Sequence, residues 1–280
     1  MTLAFVCIKW GKAYPAEDVN ILYQGVADHV REPFRFICLT DRPDGLRPEV
    51  EVADLPATGA LKLRWMGCWP KLGMFAPHLF DGVDLAIYLD LDIVVLRPLD
   101  PLIAHVRATP GLHILREWNP NIWELLPVAL RPDRGAQSSV VAWRPGEQDH
   151  LYLEAMADPK GAYAIAKNDQ FYIGVKAKQR HYLPGHFAVS FRRHLVPHVP
   201  LNLLFRRIRK PARALLVVFH GVPKPSHVAA EDAGNWGTPT RPGSGTVDWV
   251  RDYWLRGLEG TRQAFARAAG AKTQPRQISS

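Results

Sequence analysis

Cysteines and long apolar runs are both scarce in this chain. Its 280 residues include only three cysteines, Cys7, Cys38 and Cys68, and their spacing matches no metal-binding pattern. An odd number of such cysteines predicts reduced, buried thiols in a cytoplasmic protein. No run approaches the roughly 18 consecutive apolar residues of a membrane-spanning helix. The first six residues lack the basic segment and cleavage site of a signal peptide, and they predict a strand instead.

Acidic residues are outnumbered by basic ones, 27 to 35, which gives a net charge of +8. This surplus favours an acidic partner such as a nucleotide, a phosphosugar, an anionic lipid or a nucleic acid, and does not choose among them. The chain lacks a recognisable nucleic-acid-binding module, so we expect no nucleic-acid partner. Apolar residues make up 47% of the chain, which is enough to bury a sizeable core and excludes global disorder.

Strand-like and helix-like segments alternate along the chain. Apolar runs predict strands at residues 3–8, 34–39, 50–53, 85–89, 138–143 and 214–219. Helices are predicted after Pro15 and over residues 69–80, 169–177 and 247–269. This alternation is typical of an α/β fold with a mostly parallel sheet covered by helices on both faces. Ligands of such sheets bind at the carboxyl ends of the strands.

Two aspartates, Asp90 and Asp92, follow the predicted strand 85–89. If the strand continues through them, side-chain alternation places both carboxylates on one face. Neighbouring carboxylates repel each other and resist desolvation unless a cation lies beside them. The pair therefore favours a site for Mg²⁺ or Mn²⁺, which bridges carboxylates to phosphates. The alternative is a solvated strand end with two turn-forming aspartates.

A second polar cluster, His220-Gly221-Val222-Pro223-Lys224-Pro225, follows the predicted strand 214–219. Imidazole is a ligand for Mn²⁺. Gly221 allows the backbone to approach a phosphate closely, and Lys224 supplies a positive charge for it. The alternative is a turn after a core strand, in which His220 is hydrogen-bonded for structural reasons.

These motifs together resemble the nucleotide-sugar glycosyltransferases of the GT-A fold, and most nearly the retaining enzymes of family 8. Asp90-Leu91-Asp92 resembles the family's metal-binding motif, and Lys71 stands about one helix upstream, as a lysine does there. Residues 137–141 resemble a strand beside the donor sugar, and 168–170 resemble a motif whose aspartate contacts that sugar. Residues 221–225 resemble a motif whose lysine holds the diphosphate.

The chain departs from the family pattern at its second cluster. The family places a metal-binding histidine three residues before the glycine, where this chain has Val218, whereas His220 directly precedes Gly221. Gln137 and Ser139 also replace the usual asparagine and glycine of the strand beside the donor sugar.

The resemblance implies metal-dependent transfer of a sugar from a nucleotide diphosphosugar, in particular a UDP-sugar. The acceptor would be a hydroxyl group of a saccharide or a glycolipid. The anomeric configuration of the sugar would be retained. The resemblance assigns the Mn²⁺ or Mg²⁺ to Asp90, Asp92 and His220. The catalytic candidates are Asp169, which positions the sugar, and Lys224, which stabilises the leaving diphosphate. The remaining donor-binding candidates are Tyr14, Asp41, Lys71, Ser138 and Gly221. Tyr14 either stacks on the base of the nucleotide or packs on the first helix. Lys71 either pairs with the metal-binding carboxylates or lies on the surface. Asp41 either contacts the nucleotide or is a turn residue whose carboxylate is hydrogen-bonded to its own backbone.

Domain boundaries follow the same pattern. We expect a glycosyltransferase domain over residues 1–227, with a nucleotide-binding half at 1–97 and a donor and acceptor half at 98–227. Residues 228–280 form a C-terminal extension with one helix and a frayed tail. We expect acceptor recognition in 118–134 and 189–213. The second of these segments contains a basic region, which is either a solvated face or a surface that binds an anionic membrane. Binding of that kind would place the protein at the inner face of a membrane. The basic region comprises Arg192, Arg193, Arg206, Arg207, Arg209, Lys210 and Arg213.

Two other classes of function remain open. A phosphatase of the haloacid dehalogenase type also uses Asp-x-Asp at a strand end, but normally on its first strand, and no acidic pair follows here. A non-enzymatic carbohydrate-binding protein is compatible with the charge and the aromatic residues.

Overall fold

The computed structural model describes residues 1–57, 69–119, 123, 126–199 and 207–273. Its strands are β1 (Leu3–Lys9), β2 (Phe34–Thr40), β3 (Glu51–Asp54), β4 (Leu85–Leu89), β5 (Ile93–Val95), β6 (Leu112–Arg116), β7 (Ala136–Trp143), β8 (Arg180–Tyr182), β9 (Ala188–Ser190), β10 (Leu216–Val218), β11 (Asn235–Thr238) and β12 (Arg241–Ser244). Its α-helices are α1 (Ala16–Ala27), α2 (Asp100–Ala108), α3 (Asp149–Ala157), α4 (Pro159–Ile165), α5 (Asp169–Lys176), α6 (Pro225–Ala229) and α7 (Asp248–Thr273).

A seven-stranded sheet in the order β3-β2-β1-β4-β7-β6-β8 forms the centre of the molecule. Its strands pair in parallel except at β7, which is antiparallel to both of its neighbours. A smaller sheet, β5-β10-β9, begins where the chain leaves β4, and β11 and β12 form a hairpin. The predicted α/β class with a mostly parallel sheet is confirmed.

Both faces of the central sheet are buried, which explains why its strands read as continuous apolar runs. Along β1, Phe5 and Cys7 belong to one core cluster while Val6 and Ile8 belong to the other. Helices α1 and α2 cover the first face, and α3 and α5 cover the second. Cys7 and Cys38 are buried free thiols in paired positions of β1 and β2, whereas Cys68 lies outside the described residues.

The C-terminal helix α7 packs closely on α1. A Cβ atom on Gly257 would lie 2.7 Å from Cγ1 of Ile21, so the two helices approach each other where α7 has no side chain. The Tyr253 ring lies over Gly25 of α1 in the same way. Across the described residues, no helix combines the length and the apolar character that a membrane crossing requires.

Two local predictions were wrong in detail. The helix predicted over 69–80 is a 3-10 segment, Trp69–Phe75. Pro77 explains this early end, because it lacks an N–H group and disfavours helical geometry in the residue before it. The strand predicted to run through Asp90 and Asp92 stops at Leu89. The chain turns there, with Ile93 N–H donating to Asp90 O at 3.2 Å, because β4 and β5 belong to different sheets.

Candidate active site

A cavity of about 320 Å³ lies at the ends of β1 and β4, next to the junction with the smaller sheet. This is the edge where a parallel sheet binds its ligands. The cavity brings together nine of the ten predicted site residues, which the chain separates by up to 210 positions. They are Tyr14, Lys71, Asp90, Asp92, Ser138, Asp169, His220, Gly221 and Lys224.

Asp90 has a complete set of partners. Lys71 Nζ lies 2.8 Å from Asp90 Oδ1, and the Tyr88 hydroxyl donates to the same oxygen at 2.6 Å. Burial by itself raises the pKa of Asp90, but the charge and hydrogen bond of Lys71 and the Tyr88 hydroxyl outweigh it and hold the pKa below its ordinary value. The carboxylate is therefore ionised and fixed in place, and Lys71 is its charge partner.

Lys71 also connects Asp90 to the residues predicted beside the donor sugar. Its ammonium group donates to Ser138 Oγ at 3.2 Å, and Ser138 Oγ donates to Asp169 Oδ2 at 3.2 Å. Asp169 occupies the first turn of α5, which Asn168 caps by accepting from the N–H group of Phe171 at 2.9 Å. The cap fixes where α5 begins and so fixes the direction in which Asp169 points.

Asp92 has a different environment, in which Lys224 is the one cation in contact among the described residues. Lys224 Nζ lies 2.9 Å from Asp92 Oδ2, and the Tyr14 hydroxyl donates to this oxygen at 3.1 Å. Lys224 Nζ also contacts the Tyr14 hydroxyl and lies 4.3 Å from the centre of its ring. Burial and the charge of Asp90 raise the pKa of Asp92 despite Lys224. The Tyr14 ring packs against the core.

Asp18, in the first turn of α1, adds a further carboxylate on this side of the cavity. It is 8% exposed. Burial, together with the charge of Glu17, raises its pKa to about 7, while Lys224 acts to lower it and Asp92 to raise it. Among the described residues, Lys224 is the cation whose charge acts on both of these buried carboxylates, and it does not offset the effects that raise their pKa values.

His220 also lines the cavity and contacts a different set of residues. Its Nε2 is 2.6 Å from Ser190 Oγ, and its ring stacks on Trp118 with centres 5.4 Å apart. Burial and the nearby charges of Arg192 and Arg193 lower its pKa to about 4, so the ring is neutral. Within the described ranges, no group of three or more His, Cys, Asp or Glu side chains is arranged to hold a metal ion. The metal role of His220 stays a prediction.

Asp41 does not line the cavity. Its carboxylate accepts a hydrogen bond from the N–H group of Gly11 at 3.0 Å and joins the loop after β1 to the end of β2. Its bond is thus to Gly11 and not to its own backbone.

Sequence reasoning missed three residues at this site: Tyr88, Asp18 and Ser190. Tyr88 had a usable signal, since a position two before Asp90 on a strand points to the same face. Asp18 and Ser190 had none, because a carboxylate in a first helical turn and a serine in a strand are ordinary.

No protein-family model matches the sequence, and no curated protein matches it either. Solved structures do match. The galactosyltransferase LgtC, solved in complex with donor and acceptor sugar analogues, aligns with a TM-score of 0.55 at 12% identity, over 91% of this chain and 95% of LgtC. Mouse xyloside xylosyltransferase 1 aligns with a TM-score of 0.51 at 12% identity, over 79% of this chain and 98% of the mouse chain. The glycosyltransferase GlyE of Streptococcus pneumoniae aligns with a TM-score of 0.56 at 12% identity, over 96% of this chain and 64% of GlyE.

These similarities establish the fold. The chain has the GT-A fold of nucleotide-sugar glycosyltransferases, as the sequence motifs predicted.

Proposed function

We propose that this protein is a glycosyltransferase that moves a sugar from a nucleotide diphosphosugar, a UDP-sugar, to an acceptor hydroxyl. One observation carries the proposal: a single cavity gathers five separated motif positions, Lys71, Asp90, Ser138, Asp169 and Lys224, in a fold similar to that of LgtC. LgtC was solved with donor and acceptor sugar analogues. A fold alone supports many functions, so it is the site within it that argues for transfer.

The donor set of the site fits a divalent cation. Asp90 and Asp92 supply carboxylate oxygens, which Mg²⁺ and Mn²⁺ prefer, and such ions commonly complete their ligand sets with substrate phosphates. The shortage of positive charge around Asp92 and Asp18 is the deficit that a cation would correct. When bound, the cation would neutralise negative charge on the diphosphate.

Each residue then has a role that follows from its position. Lys224 supplies a mobile charge for the leaving diphosphate, since its side chain is 29% exposed and reaches the cavity from outside the central sheet. Lys71 holds Asp90 and orients Ser138. Ser138 and Asp169 form a fixed polar pair that positions the donor sugar. Retention of configuration follows from the family resemblance and is part of the proposal.

The phosphatase alternative is less well supported by the structure. It requires an Asp-x-Asp motif after the first strand, whereas here the motif follows β4. Asp90 would also have to act as the nucleophile, and it is buried and paired with Lys71 and Tyr88.

Calorimetric titration with UDP tests the proposal, first with Mn²⁺ present and then with EDTA. We expect UDP binding that requires the metal and that disappears in Asp92→Ala. Asp232→Ala is the matched control, because Asp232 is an exposed aspartate of the C-terminal region. If neither UDP nor GDP binds with or without metal, the donor assignment is wrong. NMR analysis of the product then tests configuration, and an inverted anomer would exclude the retaining mechanism.

A further inference from the structure

A short turn rich in positive charge borders the cavity on the side of His220. Residues Phe191–Leu195 form a π-helical turn directly after β9 and carry Arg192, Arg193 and His194. The His194 ring lies 6.1 Å from that of Trp118, and Trp118 stacks on His220. The turn therefore adjoins the part of the cavity that His220 lines.

Buried residues fix both ends of this arginine turn. At its start, Ser190 Oγ accepts from the N–H group of Arg193 at 3.1 Å and lies 2.6 Å from His220 Nε2. At its end, Arg241 Nη1 donates to the carbonyl oxygens of Arg192, at 3.0 Å, and of Val196. Arg241 is 9% exposed and comes from β12 in the C-terminal region. The turn is thus held rigidly instead of being a solvated loop.

The Arg192 side chain lies beside Gly221, one of the residues that line the cavity. Its Nη1 lies 3.7 Å from the position of a Cβ atom on Gly221, which lines the cavity. Among the residues that the structure describes, no hydrogen bond or ion pair engages the Arg192 guanidinium. The nearby acid is Glu117, and the charges of Arg134 and Arg193 already act on it. The charges of Arg192 and Arg193 also act on His220, so this part of the cavity carries a positive surplus.

We propose that the arginine turn binds an anionic group, a carboxylate or a phosphate, on the acceptor sugar. This inference rests on the proposed function and specifies its substrate class. A guanidinium on a turn with a fixed backbone, with no acid paired to it among the described residues, is suited to bidentate binding of such a group. The turn contacts Trp118 and Ser190, and both the turn and Trp118 belong to segments in which we expect acceptor recognition, whereas Lys224 contacts Asp92 and Tyr14.

The test measures binding of matched sugars to protein saturated with UDP and Mn²⁺. Methyl glucuronide is compared with methyl glucoside, and glucose 6-phosphate with glucose, by ligand-observed NMR titration. We expect one charged sugar to bind at least roughly tenfold more tightly than its neutral partner, with a preference that weakens as salt rises. The pair that shows the preference distinguishes a carboxylate from a phosphate.

Variants connect that preference to the turn. Arg192→Ala should remove the preference while leaving UDP affinity within about twofold, and Arg192→Lys should restore part of it. The matched control is Arg31→Ala, which removes the same charge from an exposed residue just before β2, at the opposite edge of the sheet. This control should keep the full preference.

Three results would overturn the inference. One is that charged and neutral sugars bind equally, or that none binds, in the wild-type chain. The second is a preference that survives in Arg192→Ala. The third is loss of UDP affinity in Arg192→Ala, which would make Arg192 a diphosphate-binding residue instead. Failure of the proposed function is distinguishable, because UDP would then not bind to the wild-type chain at all.

Discussion

The two aspartates of the Asp-x-Asp motif are two positions apart and lie in opposite electrostatic situations. The Asp90 side has Lys71, whose side chain is 6% exposed, together with Tyr88 and Ser138, and the pKa of Asp90 is lowered. The Asp92 side has Lys224, which is 29% exposed, and the further carboxylate of Asp18, and the pKa of Asp92 is raised. One side is neutralised by the protein itself, and the other is left for a ligand to neutralise.

Neutralising each aspartate in turn tests the difference between the surroundings of Asp90 and Asp92. We expect Asp90→Asn and Asp92→Asn both to reduce the rate of sugar transfer or donor hydrolysis about a thousandfold, because each removes a carboxylate of the proposed metal site. Only Asp90→Asn should also lower the free energy of unfolding, since it leaves Lys71 buried without a counter-charge. Urea unfolding followed by circular dichroism measures this. Equal stability losses in both variants would contradict the difference between the two sides, and Asp232→Asn serves as the control.

The lysines should show the same contrast. Lys71→Met is expected to lower the free energy of unfolding by about 3 kcal/mol, because it breaks a buried ion pair and leaves a carboxylate without a partner. Lys224→Met should cost less than about 1 kcal/mol, since that pair is partly solvated. It should nevertheless weaken UDP binding more than its effect on stability would explain. Thermal unfolding and UDP titration of the two variants measure these effects. Unchanged UDP affinity in Lys224→Met would refute the role of Lys224 in binding the diphosphate.

The pH dependence of the free energy of unfolding tests whether the carboxylates on the Asp92 side have raised pKa values. The pKa of Asp18 is raised to about 7 in the folded chain, so the folded state binds more protons than the unfolded state above the ordinary aspartate pKa. The contribution of Asp18 to the free energy of unfolding is therefore largest at low pH. It is lost as the pH rises toward the pKa of Asp18 in the folded state. In EDTA, we expect a loss of about 2 kcal/mol between about pH 5 and about pH 7. Asp18→Asn should flatten this slope, and an unchanged slope would show that Asp18 does not titrate there.

The smallest expected effect belongs to Tyr14. Tyr14→Phe removes one hydrogen bond to Asp92 and keeps the ring that packs on the core. We expect UDP affinity to fall about fivefold, since a single net hydrogen bond contributes about 1 kcal/mol. A much larger loss, with stability unchanged, would favour direct contact between the Tyr14 hydroxyl and the donor.

Much of the fold was predictable from the sequence because both faces of the central sheet are buried. Continuous apolar runs then mark the strands, as at β1 and β4. The start of α5 was predictable for a local reason, because Asn168 caps it through a nearby N–H group. The 3-10 segment was not, since the influence of Pro77 competes with an otherwise helical pattern.

The site was predictable where a short sequence motif keeps its residues close together whatever the backbone does. Asp90, Asp92 and Lys71 lie together as expected, although the strand argument for the two aspartates was wrong. The arginine turn was not predictable as a site, because its geometry depends on Arg241, about 45 residues further along the chain. No local pattern reports a contact between a hairpin and a turn that far apart.

The contact between Lys224 and Tyr14 spans 210 residues of the chain. All seven strands of the central sheet are complete by Tyr182, so the sheet has its full set of strands long before Lys224 is added. During synthesis on a ribosome, the chain therefore acquires its scaffold first and its complete donor site late. A growing chain that has reached β8 holds the Asp92 carboxylate without its lysine, and so it lacks one of the residues of the proposed donor site.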